Sequence, residues 1–150
     1  GHESAVVDRY SDCKKPQPDK TMNTGTKLTF LGAAGTVTGS KYLLHANNTT
    51  ILIDCGLFQG LKKLRLINWE PFPVDPASID FVLLTHGHLD HVGYLPRLVN
   101  EGYAGRIWGT SPTLEIARII LEDSAKIQEE EADRANQFGY SKHKNALPLY

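Results

Sequence analysis

Four residues that commonly bind metal ions lie within six positions of the chain, at His86, His88, Asp90 and His91. Imidazole and carboxylate ligands together suit zinc, with iron or manganese as alternatives. Residues two apart on an extended loop can converge on one ion, while Asp90 and His91 turn toward a second. The spacing therefore predicts a metal site with all four residues as ligands, and residues 86–91 are called the metal motif below.

The metal motif directly follows the apolar run 81–84. Four consecutive apolar residues are expected of a strand that is covered on both faces. A polar loop that is only rich in histidine is the alternative, but such tracts usually lack a preceding strand. We therefore place the metal motif on a loop at the end of a buried strand.

A further carboxylate, Asp54, ends another predicted strand. A carboxylate in this position near a histidine cluster often orients a metal ligand through a hydrogen bond. An aspartate that starts a turn before glycine is an equally good account. His45 lies beside a predicted hairpin turn and His143 in a basic loop, and we assign neither to a metal.

The glycine segment, 32–40, follows a predicted strand and resembles a phosphate-binding loop in composition only. It lacks the lysine of a Walker loop and the G-x-G-x-x-G spacing, and a strand follows where a dinucleotide fold needs a helix. We predict a tight turn whose glycines let the backbone pass close to the metal site.

Three cations, Lys62, Lys63 and Arg65, could follow a phosphate backbone. They alternate with apolar residues in the predicted helix 61–68. A solvated helix face is the simpler account of such a pattern.

Short strands and helices are predicted from Thr26 onward, without internal repeats. The strands are expected at 27–31, 42–46, 50–53, 81–84 and 106–109, with a hairpin turn at Asn47-Asn48. Helices are expected near 61–68, 94–100 and 112–138, the last with Ser111 as its N-cap and Gly139 as its stop. This order predicts an α/β fold.

The composition indicates a globular domain or part of one. The chain has 150 residues, of which 41% are hydrophobic and 22% charged, enough to bury a core. The net charge of −1 does not indicate a stand-alone nucleic-acid binder, which usually carries a basic excess. A polyanionic substrate would therefore be held by local charge or by metal.

Only two cysteines are present, Cys13 and Cys55, with no repeated spacing. This argues against a disulfide framework and favours a reducing, cytoplasmic setting. No apolar run is long enough to span a membrane and no export signal is visible, so no membrane partner is expected.

The first 26 residues are polar, contain proline and show no periodicity. We expect 1–26 to be a disordered leader or a segment added for expression. Residues 1–21 precede the only methionine, Met22. His2 and Cys13 are therefore given no functional weight.

With these residues in view, the chain resembles the metallo-β-lactamase superfamily and, within it, the beta-CASP group of nucleic-acid hydrolases. The superfamily signature His-x-His-x-Asp-His is present at 86–91. The narrower resemblance, to relatives of ribonuclease J and of the endonuclease subunit of the cleavage and polyadenylation factor, lies in FLGAAGTVTGSKYLL (30–44), ILIDCGLFQG (51–60), the segment 68–99 and GYSKHKNALPLY (139–150).

The resemblance covers residues 27–150 and implies the N-terminal half of a metallo-β-lactamase αββα four-layer sandwich. It also implies that His86 and His88 bind one zinc ion, that Asp90 and His91 bind a second, and that Asp54 supports the metal motif. In such sites two metals activate a hydroxide that attacks a phosphodiester in line, with Asp90 as the catalytic residue that orients it. Ser40 and the glycine segment are expected to line the substrate groove.

The chain ends before the later metal ligands and the inserted beta-CASP domain of this family. The resemblance therefore implies a metal-dependent hydrolase, a ribonuclease acting on RNA, in a longer parent protein. The 150 residues alone are expected to be inactive, since each zinc keeps only two ligands here, and to self-associate through an uncovered apolar surface.

Two other functions are compatible with the sequence. One is a different hydrolase of the metallo-β-lactamase fold, acting on thioesters or lactones. The other is a truncated, non-catalytic interaction module.

Overall fold

The computed structural model describes residues 25–139 and 146–150. Five strands form one mixed sheet in the order β1 to β5. Most of the predicted leader and the loop with His143 lie outside the described residues. The strands are β1 (Lys27–Gly32), β2 (Lys41–Ala46), β3 (Thr49–Ile53), β4 (Phe81–Leu83) and β5 (Arg106–Trp108).

Four helices and one 3-10 turn accompany the sheet. They are α1 (Lys62–Ile67), the turn Pro76–Ser78, α2 (Leu89–Val92), α3 (Leu95–Asn100) and α4 (Ser111–Gln137). The predicted strands and helices are thus confirmed, and their ends differ by at most one residue. Helix α2 was not predicted, because four residues are too few to show a helical period. In the described ranges, no helix has the length and apolar character needed to cross a membrane.

The sheet changes from antiparallel to parallel at its centre. Strands β1, β2 and β3 pair antiparallel, and β3, β4 and β5 pair parallel. The β2–β3 turn places Asn47 and Asn48 at φ 49° and 62°, as a two-residue hairpin requires. The carboxyl ends of β3 and β4 therefore meet at the same edge of the sheet.

The start of α4 corrects one prediction. Thr110, not Ser111, is the N-cap, and its hydroxyl oxygen accepts from the Thr113 N–H at 3.4 Å. Thr110 has an extended backbone (φ −66°, ψ 152°), which an N-cap needs. Ser111 is already the first helical residue. Sequence alone could not separate two adjacent hydroxyl residues that are both suited to the cap.

One face of the sheet packs against the helices and forms the core. Leu52 and Val82 are fully buried there, together with Val92 and Leu98 from the helices. Burying such a side chain contributes about 1.5–3 kcal/mol. This face packs the strands against α2 and α3. Helix α2 contains Asp90 and His91, so only the first part of the metal motif lies on the predicted loop.

The other face, called the open face, has no covering layer among the described residues. Strand register places nine apolar side chains on it, and none belongs to the hydrophobic core. They are Leu28, Phe30, Tyr42, Leu44, Ile51, Ile53, Phe81, Leu83 and Trp108.

The open face shows that the described residues form two layers, a sheet and the helices on one side of it. Leu83 is 42% exposed and Phe30 is 59% exposed. The expectation that β4 is covered on both faces is therefore not met within the described residues. A sheet that is apolar on both faces is typical of a layer inside a sandwich, which agrees with half of an αββα fold.

The last described segment, 146–150, runs along α4 and is held by side chains from α3 and α4. Asn136 makes two hydrogen bonds to Ala146, donating to its carbonyl oxygen and accepting from its N–H. The Leu149 N–H donates to Gln128, and Arg97 donates to the Leu149 carbonyl. These bonds satisfy backbone groups that no strand pairs.

A lysine lies in the core between two aromatic rings. Lys41 is only 4% exposed, and its Nζ lies 4.5 Å from the centre of the Phe58 ring and 4.9 Å from that of Tyr94. Burial lowers the pKa of Lys41 to about 8, and the thiol of Cys55 opposes this shift. The ring faces attract the ammonium, so they offset part of the cost of burying it.

We predict that Lys41→Met raises the free energy of unfolding at pH 7 by about 2 kcal/mol, because it removes a buried charge. The pKa of Lys41 is about 8 in the folded chain and 10.5 in the unfolded chain. Between these pH values the unfolded chain binds more protons, so the wild-type protein becomes more stable as pH rises. The advantage of Lys41→Met should therefore shrink from pH 7 to pH 9, as measured by urea unfolding.

The measurement stops at pH 9 because burial raises the pKa of Cys55 and of Tyr94 to about 12. Above pH 9 these two groups lower the free energy of unfolding as pH rises, because they lose their protons in the unfolded chain before they do so in the folded chain. Lys27→Met, at an exposed position of β1, is the matched control and should show no such pH dependence. An equal effect of both substitutions would contradict the role given to burial.

We also predict that the isolated chain self-associates through the open face and that Leu83→Lys reduces this. Leu83 lies outside the core, so the free energy of unfolding should change by less than about 1 kcal/mol. Val82→Lys is the matched control, since Val82 is fully buried on the opposite face and an unpaired charge there should unfold the chain. Light scattering and circular dichroism distinguish these results, and a monomeric wild-type chain would refute the prediction.

Candidate metal centre

The metal motif is held against two other segments by backbone hydrogen bonds. The Ser40 N–H donates to the Asp90 carbonyl at 2.9 Å, and the Cys55 N–H donates to the His91 carbonyl at 2.7 Å. The Leu57 N–H donates to the Leu89 carbonyl at 3.2 Å. The motif therefore lies against the end of the glycine segment and against the chain that follows β3.

Gly56 makes this contact possible. A Cβ atom at Gly56 would overlap the backbone carbonyl of Asp90 and the following amide. At Gly39, which has φ 82°, a Cβ would meet the Phe58 ring at 2.5 Å. The close approach at the metal motif therefore belongs to Gly56, which lies outside the glycine segment. The glycine segment itself contacts the motif through the Ser40 N–H, and its Gly39 lies against Phe58.

Asp54 lies beneath the metal motif and is only 2% exposed. Its Oδ1 accepts from the Thr85 N–H at 2.8 Å, and its Oδ2 accepts from the Thr85 hydroxyl at 2.8 Å. The same Oδ2 lies 2.7 Å from His91 Nδ1 and 3.4 Å from the Ser40 hydroxyl. These contacts favour a supporting role for Asp54 over a simple turn.

The parallel pairing of β3 and β4 brings Asp54 and Thr85 together. Ile53 pairs with Leu83, and the Asp54 N–H donates to the Leu83 carbonyl at 2.9 Å. Asp54 has φ 58°, a backbone conformation that costs about 1–3 kcal/mol and persists only when its surroundings impose it.

The imidazole rings of the metal motif lie together. The ring centres of His86 and His91 are 3.8 Å apart, and those of His86 and His88 are 4.8 Å apart. Asp90 Oδ2 lies 3.5 Å from His91 Nε2. The structure therefore gathers all four predicted ligands in one cluster, called the histidine cluster below.

The side chains of the histidine cluster are close without being arranged around one point. Among the described residues, no three His, Cys, Asp or Glu groups are placed so that they could hold an ion together. The donor chemistry nevertheless fits zinc. His91 turns Nδ1 toward Asp54, a carboxylate that only accepts hydrogen bonds. Donation from Nδ1–H would leave the lone pair of Nε2, which lies on the side of Asp90, to bind a metal.

Ser40 is placed inside the molecule. It is 3% exposed, and its hydroxyl donates to Asp54. The exposed residues of the glycine segment are Ala34, Gly35 and Val37, and Val37 is 91% exposed. The side chain of Ser40 therefore faces Asp54 in the interior, and its expected place in a substrate groove stays a prediction.

The histidine and the cations that we did not assign to the metal site lie elsewhere on the surface of the molecule. His45 is exposed and its Nδ1 lies 3.1 Å from the Thr50 hydroxyl across the hairpin. Lys62, Lys63 and Arg65 are all exposed on α1, as expected of a solvated face.

One residue of the site was missed by sequence analysis. The Thr85 hydroxyl lies between Asp54 Oδ2, at 2.8 Å, and His86 Nδ1, at 3.1 Å. Its position just before His86 is visible in the sequence. Its link to Asp54 depends on the pairing of two strands that are far apart along the chain.

Comparison with known proteins places the chain in a family. Residues 34–131 match the model of the metallo-beta-lactamase superfamily. Ribonuclease TTHA0252 of Thermus thermophilus is 50% identical over 104 residues, which are 69% of this chain and 24% of the relative. Endoribonuclease YSH1 of Saccharomyces cerevisiae is 31% identical over 113 residues, 73% of this chain and 14% of the relative.

A third relative is transcription termination factor FttA of Methanothermobacter thermautotrophicus, 33% identical over 119 residues, which are 77% of this chain and 18% of the relative. Among solved structures, the metallo-beta-lactamase fold protein YhfI of Bacillus subtilis is 26% identical with a TM-score of 0.42, covering 60% of this chain and 38% of that protein. The chain spans about a quarter or less of the curated relatives.

These relatives confirm the resemblance to the beta-CASP nucleic-acid hydrolases. The mixed sheet with helices confirms the predicted α/β fold as part of such a domain. From the family match and the motif together, the chain belongs to the metallo-beta-lactamase superfamily.

Proposed function

We propose that this chain is the N-terminal part of a zinc-dependent beta-CASP-type ribonuclease that hydrolyses RNA phosphodiesters. The observation that carries the proposal is the histidine cluster, supported by Asp54, in a chain 50% identical to a ribonuclease over 104 residues. Because the chain spans about a quarter of that relative, the activity is proposed for a longer protein.

In this proposal His86 and His88 hold one zinc ion, and Asp90 and His91 hold a second. Bound zinc lowers the pKa of a water molecule and neutralises charge on phosphoryl oxygens. Asp90 orients the nucleophile from the first turn of α2, where its side chain is partly exposed. Asp54 holds His91 in the orientation that leaves Nε2 available.

RNA is favoured as substrate over thioesters and lactones by the relatives, which are named ribonuclease and endoribonuclease. The exposed residues of the glycine segment, Ala34, Gly35 and Val37, are proposed to contact the substrate. No basic surface is needed for this, since metal in the histidine cluster would itself attract phosphate.

A cytoplasmic location is part of the proposal. Cys55 is a free, fully buried thiol. Free structural thiols are typical of reducing compartments.

We predict that residues 1–150 do not cleave RNA even with zinc, whereas a longer protein with the family's later ligands does. In that longer protein, Asp90→Asn should lower kcat by about 10²–10⁴-fold, because the group that orients the nucleophile is lost. The rate of cleavage of a labelled RNA measures this. Asp133→Asn, at an exposed position of α4, should leave the rate unchanged.

Two results would contradict the proposal. Chelator-sensitive cleavage by residues 1–150 alone would mean that the site is complete within this chain. Full activity of the Asp90→Asn protein would remove the role given to Asp90.

We also predict that Asp54→Asn lowers the free energy of unfolding by about 2–4 kcal/mol, because an amide cannot accept from every donor that Asp54 meets. Zinc should bind about 10–100-fold more weakly, since His91 loses its orienting partner. Urea unfolding without metal and competition with a zinc indicator measure the two effects.

Asp75→Asn is the matched control. Asp75 is exposed and its Oδ1 accepts only from the Ala77 N–H, at the start of the 3-10 turn. Its replacement should cost at most about 1 kcal/mol and leave zinc affinity unchanged. Lost stability with unaltered zinc affinity in Asp54→Asn would show that Asp54 serves the fold alone.

A further inference from the structure

We propose that Thr85 is a positioning residue through which Asp54 fixes His86, so that one buried carboxylate sets the ring tautomer of two histidines. His91 contacts Asp54 directly, with 2.7 Å between Nδ1 and Oδ2. His86 contacts it through the Thr85 hydroxyl. The inference rests on the proposed function of His86 as a metal ligand.

The tautomer of His86 follows from counting hydrogens. The Thr85 hydroxyl has one hydrogen, and Asp54 Oδ2, 2.8 Å away, is a carboxylate oxygen that only accepts. The hydroxyl hydrogen is therefore donated to Asp54. The Thr85 oxygen then accepts from His86 Nδ1–H at 3.1 Å, which leaves a lone pair on His86 Nε2.

The hydroxyl of Thr85 is held in place on two sides. The Thr85 N–H donates to Asp54 Oδ1 at 2.8 Å while the hydroxyl donates to Oδ2. Threonine is branched at Cβ, so its side chain has few rotamers to choose from. The oxygen that receives His86 Nδ1–H is thus fixed by the same carboxylate that holds His91.

In this arrangement the ring tautomer of His86 depends on the Thr85 hydroxyl, whereas that of His91 does not. His91 touches Asp54 without an intermediary, so loss of the Thr85 hydroxyl should leave its tautomer unchanged. His86 should lose its Nδ1–H preference and shift toward the Nε2–H form, which leaves no lone pair on Nε2. A merely structural role of Thr85 would affect both rings or neither.

The first experiment compares the metal-free chain with Thr85→Val and Thr85→Ser by long-range ¹H–¹⁵N correlation spectra of the histidine rings. Valine keeps the shape and the backbone N–H, and serine keeps the hydroxyl. We expect the Nδ1–H form of His86 in the wild type and in Thr85→Ser, and a shift toward Nε2–H in Thr85→Val alone. An unchanged His86 spectrum in Thr85→Val overturns the proposal.

The second experiment adds zinc and follows the same ring signals. We expect the His86 response to need about 10-fold more zinc in Thr85→Val, with Thr85→Ser close to the wild type. If zinc perturbs no histidine of the wild type, the inference about metal binding by this chain is overturned, while the metal-free spectra still decide whether Thr85 sets the His86 tautomer. The proposed function is tested separately, in the longer protein. Equal zinc response in Thr85→Val and the wild type overturns the inference about metal binding.

Backbone amide dispersion in each spectrum shows whether the variant is folded. If Thr85→Val does not fold, Thr85→Ala is measured in the same way, since it also lacks the hydroxyl. A wild-type His86 tautomer in a folded Thr85→Ala chain overturns the proposal.

Discussion

The burial of the Asp54 carboxylate is the constraint on which the candidate metal centre depends. A carboxylate that is 2% exposed is tolerated only where hydrogen bonds replace water, because an unpaired buried charge costs several kcal/mol. Its donors come from Thr85, His91 and Ser40. Three segments of the chain therefore lie in contact here, around Ser40, Asp54 and residues 85–91. The hydrogen bonds between them hold Asp54 at its positive φ.

The parallel pairing of β3 and β4 brings these segments together. Asp54 follows β3 and Thr85 follows the apolar run that begins in β4, and these parallel strands end at the same edge. Gly56 allows the Asp90 backbone to approach, so the metal motif closes over the carboxylate. Behind it, Lys41 and the aromatic rings of Phe58 and Tyr94 fill the core. The position of the histidine cluster therefore depends on the sheet and its core.

The open face and the histidine cluster both indicate that the described residues form part of a larger domain. The sheet carries apolar residues on both faces, but helices cover only one. The cluster has gathered its side chains, but no three groups among the described residues are arranged around an ion. Both observations agree with a chain that spans about a quarter of a 50% identical ribonuclease. Such a half-domain would need a further layer to cover the open face and further ligands to complete the metal site.

The strands, the hairpin at Asn47-Asn48, the long helix and the four clustered residues can all be predicted from the amino-acid sequence, because periodicity, turn residues and motif spacing are local features. Two alternatives for Asp54, a turn or support of the metal motif, stayed open, and the burial of Ser40 against Asp54 was not visible. Thr85 was also missed. These contacts appear only in the folded chain, since they are hydrogen bonds between residues 14 to 37 positions apart. The hairpin of β2 and β3 brings Ser40 to Asp54, and the pairing of β3 with β4 brings Thr85 and His91 to it.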